Sequence, residues 1–301
     1  MVDVELSRVI QVANGLGECI LWDDATGSVL WTDIPGRRLY MHDPESGSTD
    51  HLQFEEDLCS FGFIEASDKL VCAFQSGIAI VDRTSGSREW IYRLPRPDTV
   101  RLNDGRVDRQ GRFWVGSMVE NESSPPANEF SGELYSLDGK GGVRSHLQGI
   151  RISNSLCWSP EGDVLYFADS PKREIYAFDF DTHHGTLSNR RVFARTPDGA
   201  VPDGSSVDSK GFVWNAEWGK GRVVRYAPDG TVDTAFHLPV SHTTCVAFGG
   251  PDLSDLYVTT ARYGLSAEVL REQSQAGDVF VFSTSARGLP EARFSCSTAN
   301  T

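Results

Sequence analysis

The sequence predicts an all-β chain built from six repeated sheet units. Three observations carry that prediction: one phrase recurs six times, its strands run apolar or alternate, and no segment keeps a long helical period. Each copy opens on a turn with Gly or Asp, continues through an apolar pair that usually ends in an aromatic, and passes to a further strand. The first is DDATGSVLWTDI followed by RRLYMHD, and the second is ASDKLVCAFQ followed by SGIAIVD. The third pairs VDRQGRFWVGSM with SGELYSLD, and the fourth SPEGDVLYFADS with REIYAFDFD. The fifth pairs VDSKGFVWNAEW with GRVVRYAPDG, and the sixth PDLSDLYVTTA with GDVFVFS. Each copy supplies a hairpin plus a third strand.

The anchors Trp31, Leu70, Trp114, Tyr166, Trp214 and Tyr257 recur roughly every forty to fifty residues, the period of propeller blades. A blade sheet cannot bury both faces alone, so it packs on its neighbours, and radial closure protects its edges. The expectation is a six-bladed β-propeller, a single domain over 1–301 with no linker and its site in the central channel. Closure needs a terminal strand, and VELSRVIQV alternates well enough to pair beside GDVFVFS. SAEVLREQ reads as a short helix between the last two strands of blade six. VENESSPPANEFSG, polar and Pro-containing, reads as a surface loop or lid.

Composition narrows the function class. With 39% hydrophobic and 23% charged residues the chain has the balance of a soluble globular protein with a real core. The first residues are acidic and lack an apolar h-region, and no stretch is apolar for about eighteen residues, so the expected location is cytoplasmic, away from membranes. A net charge of -14 without a basic run argues against a nucleic-acid partner. Cys19, Cys59, Cys72, Cys157, Cys245 and Cys296 lie far apart, mostly in apolar segments, and read as reduced core thiols. The chain has no G-x-S-x-G elbow, no complete phosphate loop or G-x-G-x-x-G, no H-E-x-x-H, and no histidine pair at ligand spacing.

What remains is a register shared by the repeats. About eleven to thirteen residues before each anchor stand Glu18, Asn103, Asn154 and Asp203, with Cys59 or Ser60 in blade two and Thr244 or Cys245 in blade six. The strand before the hairpin is nearest the axis of a propeller, so these side chains converge on one channel. Two carboxylates and two amide oxygens there make a hard oxygen site, suited to Ca²⁺, Mn²⁺ or Mg²⁺. Taken singly, NDG and PDG are ordinary turn signals; the convergence of four copies, with Glu18 outside any such turn, favours a metal site. Asp108 and Asp208 fall in the hairpin turns themselves and are assigned to structure. Arg101, two residues before Asn103, points to the same face of an extended strand and is a candidate substrate contact. Glu120 is a weaker one, beside Asn121 and Glu122.

GLGECILWD, RLNDGRVDRQGRFWVGSM, RISNSLCWSPEGDVLYFADS, PDGSSVDSKGFVWNAEWGKGRVVRYAPDG and FGGPDLSDLYVTTA together resemble the senescence marker protein/gluconolactonase family, which includes regucalcin and bacterial aldonolactonases. The resemblance implies a propeller with one divalent cation in its channel. Its metal ligands fall on Glu18, Asn154 and Asp203, with Asn103 near metal and substrate, and its substrate contacts on Arg101 and Glu120. Cys19 and Ser155 stand where the family has Gly after the first Glu and usually after the fourth-blade Asn. The implied reaction is hydrolysis of a sugar (aldono-) lactone, with Asp203 as general base and the cation polarising the carbonyl. Calcium is the first expectation for the metal, with zinc, manganese, magnesium and iron(II) as alternatives. Pentono-, hexono- and substituted lactones, including sulfo-sugar lactones, all remain open, as do a monomer and a small homo-oligomer. The rival readings are a calcium-dependent hydrolase of phosphotriesters or other esters, and a calcium-binding propeller without turnover.

Overall fold

Apolar side chains stand on both faces of the strands in every repeat, so no repeat can bury its own surface. The computed structural model describes residues 2–95, 100–120 and 132–296; of the segment 119–132 expected to form a loop or lid, all but the flanks lie outside them. Within the described residues the chain forms six four-stranded antiparallel sheets. The strands nearest the axis are Gly17–Asp23, Leu58–Phe63, Val100–Val107, Ser153–Trp158, Val201–Val207 and Thr243–Gly249. Each lies against the inner strands of the blades on either side, which closes the ring of a six-bladed β-propeller.

In blades one to five the four strands follow one another outwards in chain order. Blade six differs because its outermost strand comes from the start of the chain: Val4–Ile10 pairs antiparallel with Val279–Thr284, Val4 opposite Thr284 and Ile10 opposite Val279. This is the expected closure by VELSRVIQV. It is reinforced where Asn14 donates through both its backbone and its side chain to the Gly277 carbonyl, and where Asp278 accepts the Val12 and Ala13 N–H groups. The expected short helix is Ala267–Glu272, capped by the Ser266 side chain, which accepts from the Val269 N–H. Among the described residues no helix is long and apolar enough to cross a membrane.

The core is a set of six interfaces, one between each pair of neighbouring blades. Leu70 packs between blades one and two, Trp114 between three and four, Tyr166 between four and five, and Trp214 between five and six. Trp31 and Tyr257 meet between six and one, and Phe113 packs between two and three. The anchors therefore join blades, each such buried side chain contributing about 1.5–3 kcal/mol. Asp108 and Asp208 do what their place in the turns implies. Asp108 accepts from the Gln110 and Arg112 N–H groups and from Trp114 Nε1, and Asp208 accepts from Lys210, Phe212 and Trp214 Nε1 in the same way. None of the six cysteines is in a disulfide, and five are buried.

One irregularity recurs in every blade. The pairing of each inner strand with the next shifts by one residue, between Glu18 and Leu21, Leu58 and Ser60, Leu102 and Gly105, Asn154 and Cys157, Pro202 and Ser205, and Thr243 and Val246. A β-bulge leaves an extra residue unpaired and re-aims its neighbours. In two blades the bulge forces a left-handed backbone on a residue with a side chain, Cys19 at φ 44° and Ser155 at φ 62°. Such a conformation costs an L-residue about 1–3 kcal/mol and glycine almost nothing. Cys19→Gly is therefore expected to exceed Cys19→Ala in stability by about 1 kcal/mol, although it removes more atoms. Urea unfolding of the two variants measures this, and an alanine variant as stable as the glycine one would mean that the position is unstrained.

Candidate active site

The bulges decide which groups reach the axis. Glu18 and Asn154 stand just before the shift in their strands, whereas Asn103 and Asp203 are the first residues within it. The four thus occupy two adjacent positions, and in a regular strand a step of one residue would turn two of them to the opposite face. NDG and PDG are parts of strands here, and their glycines answer to packing. A Cβ on Gly105 would meet Ser60 Oγ at 2.6 Å and the Trp114 carbonyl at 2.9 Å, and one on Gly204 would meet Cys245 Sγ at 2.5 Å and its Cα at 2.8 Å. Only a bare backbone lets adjacent inner strands come this close.

A chain of hydrogen bonds crosses blades three, four and five at the mouth. Arg101 donates to Asn103 Oδ1 at 2.7 Å, to the Leu102 carbonyl and to Cys59 Sγ. Asn103 Nδ2 donates to the Ser153 carbonyl and, at 3.2 Å, to Asn154 Oδ1. Asn154 Nδ2 donates to Ser170 Oγ, which donates in turn to the carbonyl of Pro202, the residue before Asp203. The orientation of both amides follows from this order. Because Ser170 must donate onward, it accepts from the Asn154 nitrogen, and Asn154 keeps its oxygen on the other side with a lone pair to spare.

The acidic groups are set against one another. Burial and then the charge of Asp104 push the Glu18 carboxyl from its ordinary 4.5 up to about 8, against the opposing pull of the Cys19 N–H and Arg101. Burial, Glu18 and Asp104 together hold the Asp203 carboxyl well above the usual carboxylate range. Burial pushes Asp104 itself up to about 6, while the Leu156 N–H, 2.9 Å from its Oδ2, and Arg106 pull it down. Asp203 Oδ1 is buried with no hydrogen-bond partner. Among the described residues no three His, Cys, Asp or Glu side chains are grouped to hold a metal by themselves, so an ion here would need neutral oxygen donors as well. Oxygen donors, surplus negative charge and an unpartnered carboxylate oxygen fit a hard divalent cation.

Arg101, Asn103 and Asn154 are thus joined by hydrogen bonds, and Glu18 and Asp203 by charge. Glu120 is exposed at the rim, where its carboxylate accepts from Gln75 Nε2 at 3.2 Å, and both it and Arg101 act on the buried Cys59 thiol. Blades two and six bring no carboxylate: Ser60 Oγ is buried without a partner, and Thr244 donates to the Gly17 carbonyl. Two participants escaped the sequence reading. Asp104 was legible as an acid next to Asn103 in VRLNDGRV; Ser170, sixteen residues after Asn154, had no signal of its own.

The description SMP-30/gluconolactonase/LRE-like region matches residues 16–262. The 6-deoxy-6-sulfogluconolactonase of Pseudomonas putida is 36% identical over 292 residues, covering 96% of this chain and 98% of that protein. The L-arabinolactonase of Azospirillum brasilense is 38% identical over 284 residues, covering 93% and 92%. Among solved structures, a calcium-binding protein, regucalcin, from Agrobacterium tumefaciens superposes with a TM-score of 0.90 at 30% identity, covering 96% of this chain and 97% of that one.

A carboxyl whose pKa folding has raised keeps its proton in the folded state at pH values where the unfolded chain has lost it. For Glu18 that window runs from its ordinary 4.5 to about 8, so its contribution to metal-free stability is present below the window and lost as pH rises through it. A cation that displaces the proton offsets the loss. The gain in Tm on adding saturating Ca²⁺ to chelator-treated protein is therefore expected to grow between about pH 5.5 and pH 8. Thermal melts across that range check it, and a gain that is flat or shrinks with pH would contradict the charge arrangement.

Proposed function

The chain belongs to the SMP-30/gluconolactonase/LRE-like family, and from that premise we propose that it hydrolyses a sugar lactone to the aldonic acid with one divalent cation held by Glu18, Asn154 and Asp203. The observation that carries this reading is the buried, unpartnered Asp203 Oδ1 in the field of the Glu18 carboxyl, with an amide oxygen of fixed orientation on Asn154 in the neighbouring blade. A divalent ion bound there would polarise the lactone carbonyl and lower the pKa of a neighbouring water.

The remaining steps belong to the chain's own residues. Asp203 takes a proton from the attacking water as its oxygen bonds to the carbonyl carbon; the ring C–O bond then breaks and the leaving oxygen recovers a proton. Arg101 is pinned on one side by Asn103 and the Leu102 carbonyl, which leaves its remaining N–H groups for substrate hydroxyls. Glu120, which accepts from Gln75 at the rim, can also accept from a hydroxyl at the outer end of the substrate. The names of the two bacterial relatives make an L-arabinonolactone and a 6-deoxy-6-sulfogluconolactone the first substrates to try.

Chelated protein, restored with each divalent metal in turn and offered a panel of aldonolactones and phosphotriesters, tests the reading. Metal-dependent lactone hydrolysis is the expected result. Turnover of phosphotriesters alone would replace it with an ester-hydrolase reading, and cation binding without any turnover with a calcium-binding one. Asp203→Asn keeps size and one carbonyl oxygen but removes the basic site, so a loss of about 10²- to 10⁴-fold in kcat is expected to persist at saturating metal. Asn154→Ala removes a ligand only, and added metal should restore much of its rate. Full rescue of Asp203→Asn by metal would reduce Asp203 to a ligand. Arg101→Ala is expected to raise KM with little change in Tm; a matching fall in thermal stability would assign Arg101 to the fold.

A further inference from the structure

The end of the chain, outside the family-matched residues, crosses the face of the propeller opposite the mouth. The Arg287 carbonyl accepts from Ser209 in blade five, Gly288 donates to Leu253 in blade six, Phe294 exchanges hydrogen bonds with Phe63 and Glu65 in blade two, and Ser295 donates to Gly111 in blade three. Arg293 pairs with Asp23 at 2.7 Å in blade one. In the middle of this strap Glu291 turns to the axis and meets Arg106 in a two-pronged ion pair, Arg106 Nε to Glu291 Oε2 at 3.0 Å and Nη2 to Oε1. Both side chains are nearly buried, at 11% and 12% exposure.

Arg106 is tied to the two strands that carry Asn154 and Asp203. Its Nη1 donates to the Ser205 carbonyl at 2.6 Å, two residues beyond Asp203. It also acts on Asp104, whose carboxylate holds the Leu156 N–H, two residues beyond Asn154. The same guanidinium thus touches the inner strand of blade five directly, just past its bulge, and acts on that of blade four through Asp104, whose contact lies within that strand's bulge. A buried guanidinium with five donors in a fixed fork holds its partners at set distances only while its own carboxylate holds it.

We propose that Glu291 is a positioning residue for the cation-binding site, acting through Arg106 to fix the spacing of the strands that present Asn154 and Asp203. The proposal rests on the reading of the channel as a cation site. Groups behind a metal's direct ligands commonly tune affinity by about 10- to 100-fold. Glu291 is 185 residues from Arg106 in sequence and belongs to a segment that borders no substrate, so its influence runs through the strands alone.

The experiment compares Glu291→Gln with Arg293→Gln, which loosens the same strap at its outer contact with Asp23. Ca²⁺ titration calorimetry reads affinity, thermal melts read stability, and amide hydrogen exchange reads protection of residues 153–158 and 201–207 in chelator. Glu291→Gln is expected to weaken Ca²⁺ binding about tenfold or more and to lower protection in both strands, whereas Arg293→Gln lowers Tm with affinity unchanged. If Glu291→Gln does not fold, Glu291→Asp, which keeps the charge but shortens the reach, takes its place with the same expectation. Equal affinity in wild type and the Glu291 variant, or equal losses in both strap variants, overturns the positioning role. A wild-type protein that binds no divalent cation ends the metal-site reading instead, and unchanged exchange in the Glu291 variant then overturns the coupling on its own.

Discussion

The arrangement everything else depends on is an excess of negative charge along one axis. Glu18, Asp104 and Asp203 come from blades one, three and five, so carboxyls alternate with neutral groups around the ring: Ser60 in blade two, Asn154 in blade four and Thr244 in blade six. Alternation places the acids as far apart as a six-fold ring allows, yet Asp203 still feels both of the other carboxyls and Glu18 feels Asp104. Counting Glu291 with them, four carboxylates face two guanidiniums, Arg101 and Arg106. The imbalance is two negative charges, the charge of one divalent cation. Protons can make it up at low pH, and the carboxyls hold theirs above their ordinary range because burial disfavours the charge on all three, with repulsion from neighbouring acids adding to it at Glu18 and Asp203.

Holding such a set together requires a scaffold that does not relax away from it. The six interblade clusters do this from outside, because moving one inner strand outwards would open two apolar interfaces at once. The bulges do it from inside. A straight strand shows the axis alternate residues, while a bulge lets consecutive ones, such as Asn103 and Asp104, both contribute near the channel. Its cost appears at Cys19 and Ser155, left-handed residues immediately after two proposed ligands. Ser155 recovers part of that cost through its hydroxyl bond to Ser205 Oγ at 2.6 Å, and Cys19 through the Phe61 N–H on its sulfur at 3.3 Å. Backbone strain is thus held on the inner strands, and both compensating contacts run to another blade.

Much of this was legible in the sequence because a propeller repeats its physics. The six anchors mark interfaces that every blade must make, so period alone gives the number of blades, and the alternation of VELSRVIQV gives the closing strand. Glu18, Asn103, Asn154 and Asp203 emerged for the same reason, as polar residues where the repeat otherwise places apolar or small ones. Spacing does not reveal a bulge. It therefore could not show that Asn103 lies inside the register shift while Glu18 stands just before it, nor that Asp104 joins the acids. Taken singly, NDG and PDG signal turns, and only their shared register with Glu18 and Asn154 argues otherwise; Gly105 and Gly204 are there because the strand of the next blade leaves no room for a Cβ. The strap was invisible for a different reason: 285–296 has no repeat partner, and Glu291 acquires its role only through Arg106, far away in the chain.

The two ends of the channel consequently carry different constraints. At the mouth, Arg101, Asn103, Asn154 and Ser170 form a directional chain in which each donor is committed before the next can accept, so the chain has one arrangement. At the closed end, Arg106 and Glu291 fix distance through charge and bury it under the strap. Glu120, the proposed contact to the substrate's outer atoms, stands outside both systems and is exposed. A change of substrate among related chains can therefore arise at the rim without disturbing the acids, whereas a change at Asp104, Asp203, Arg106 or Glu291 shifts the balance of charge along the axis.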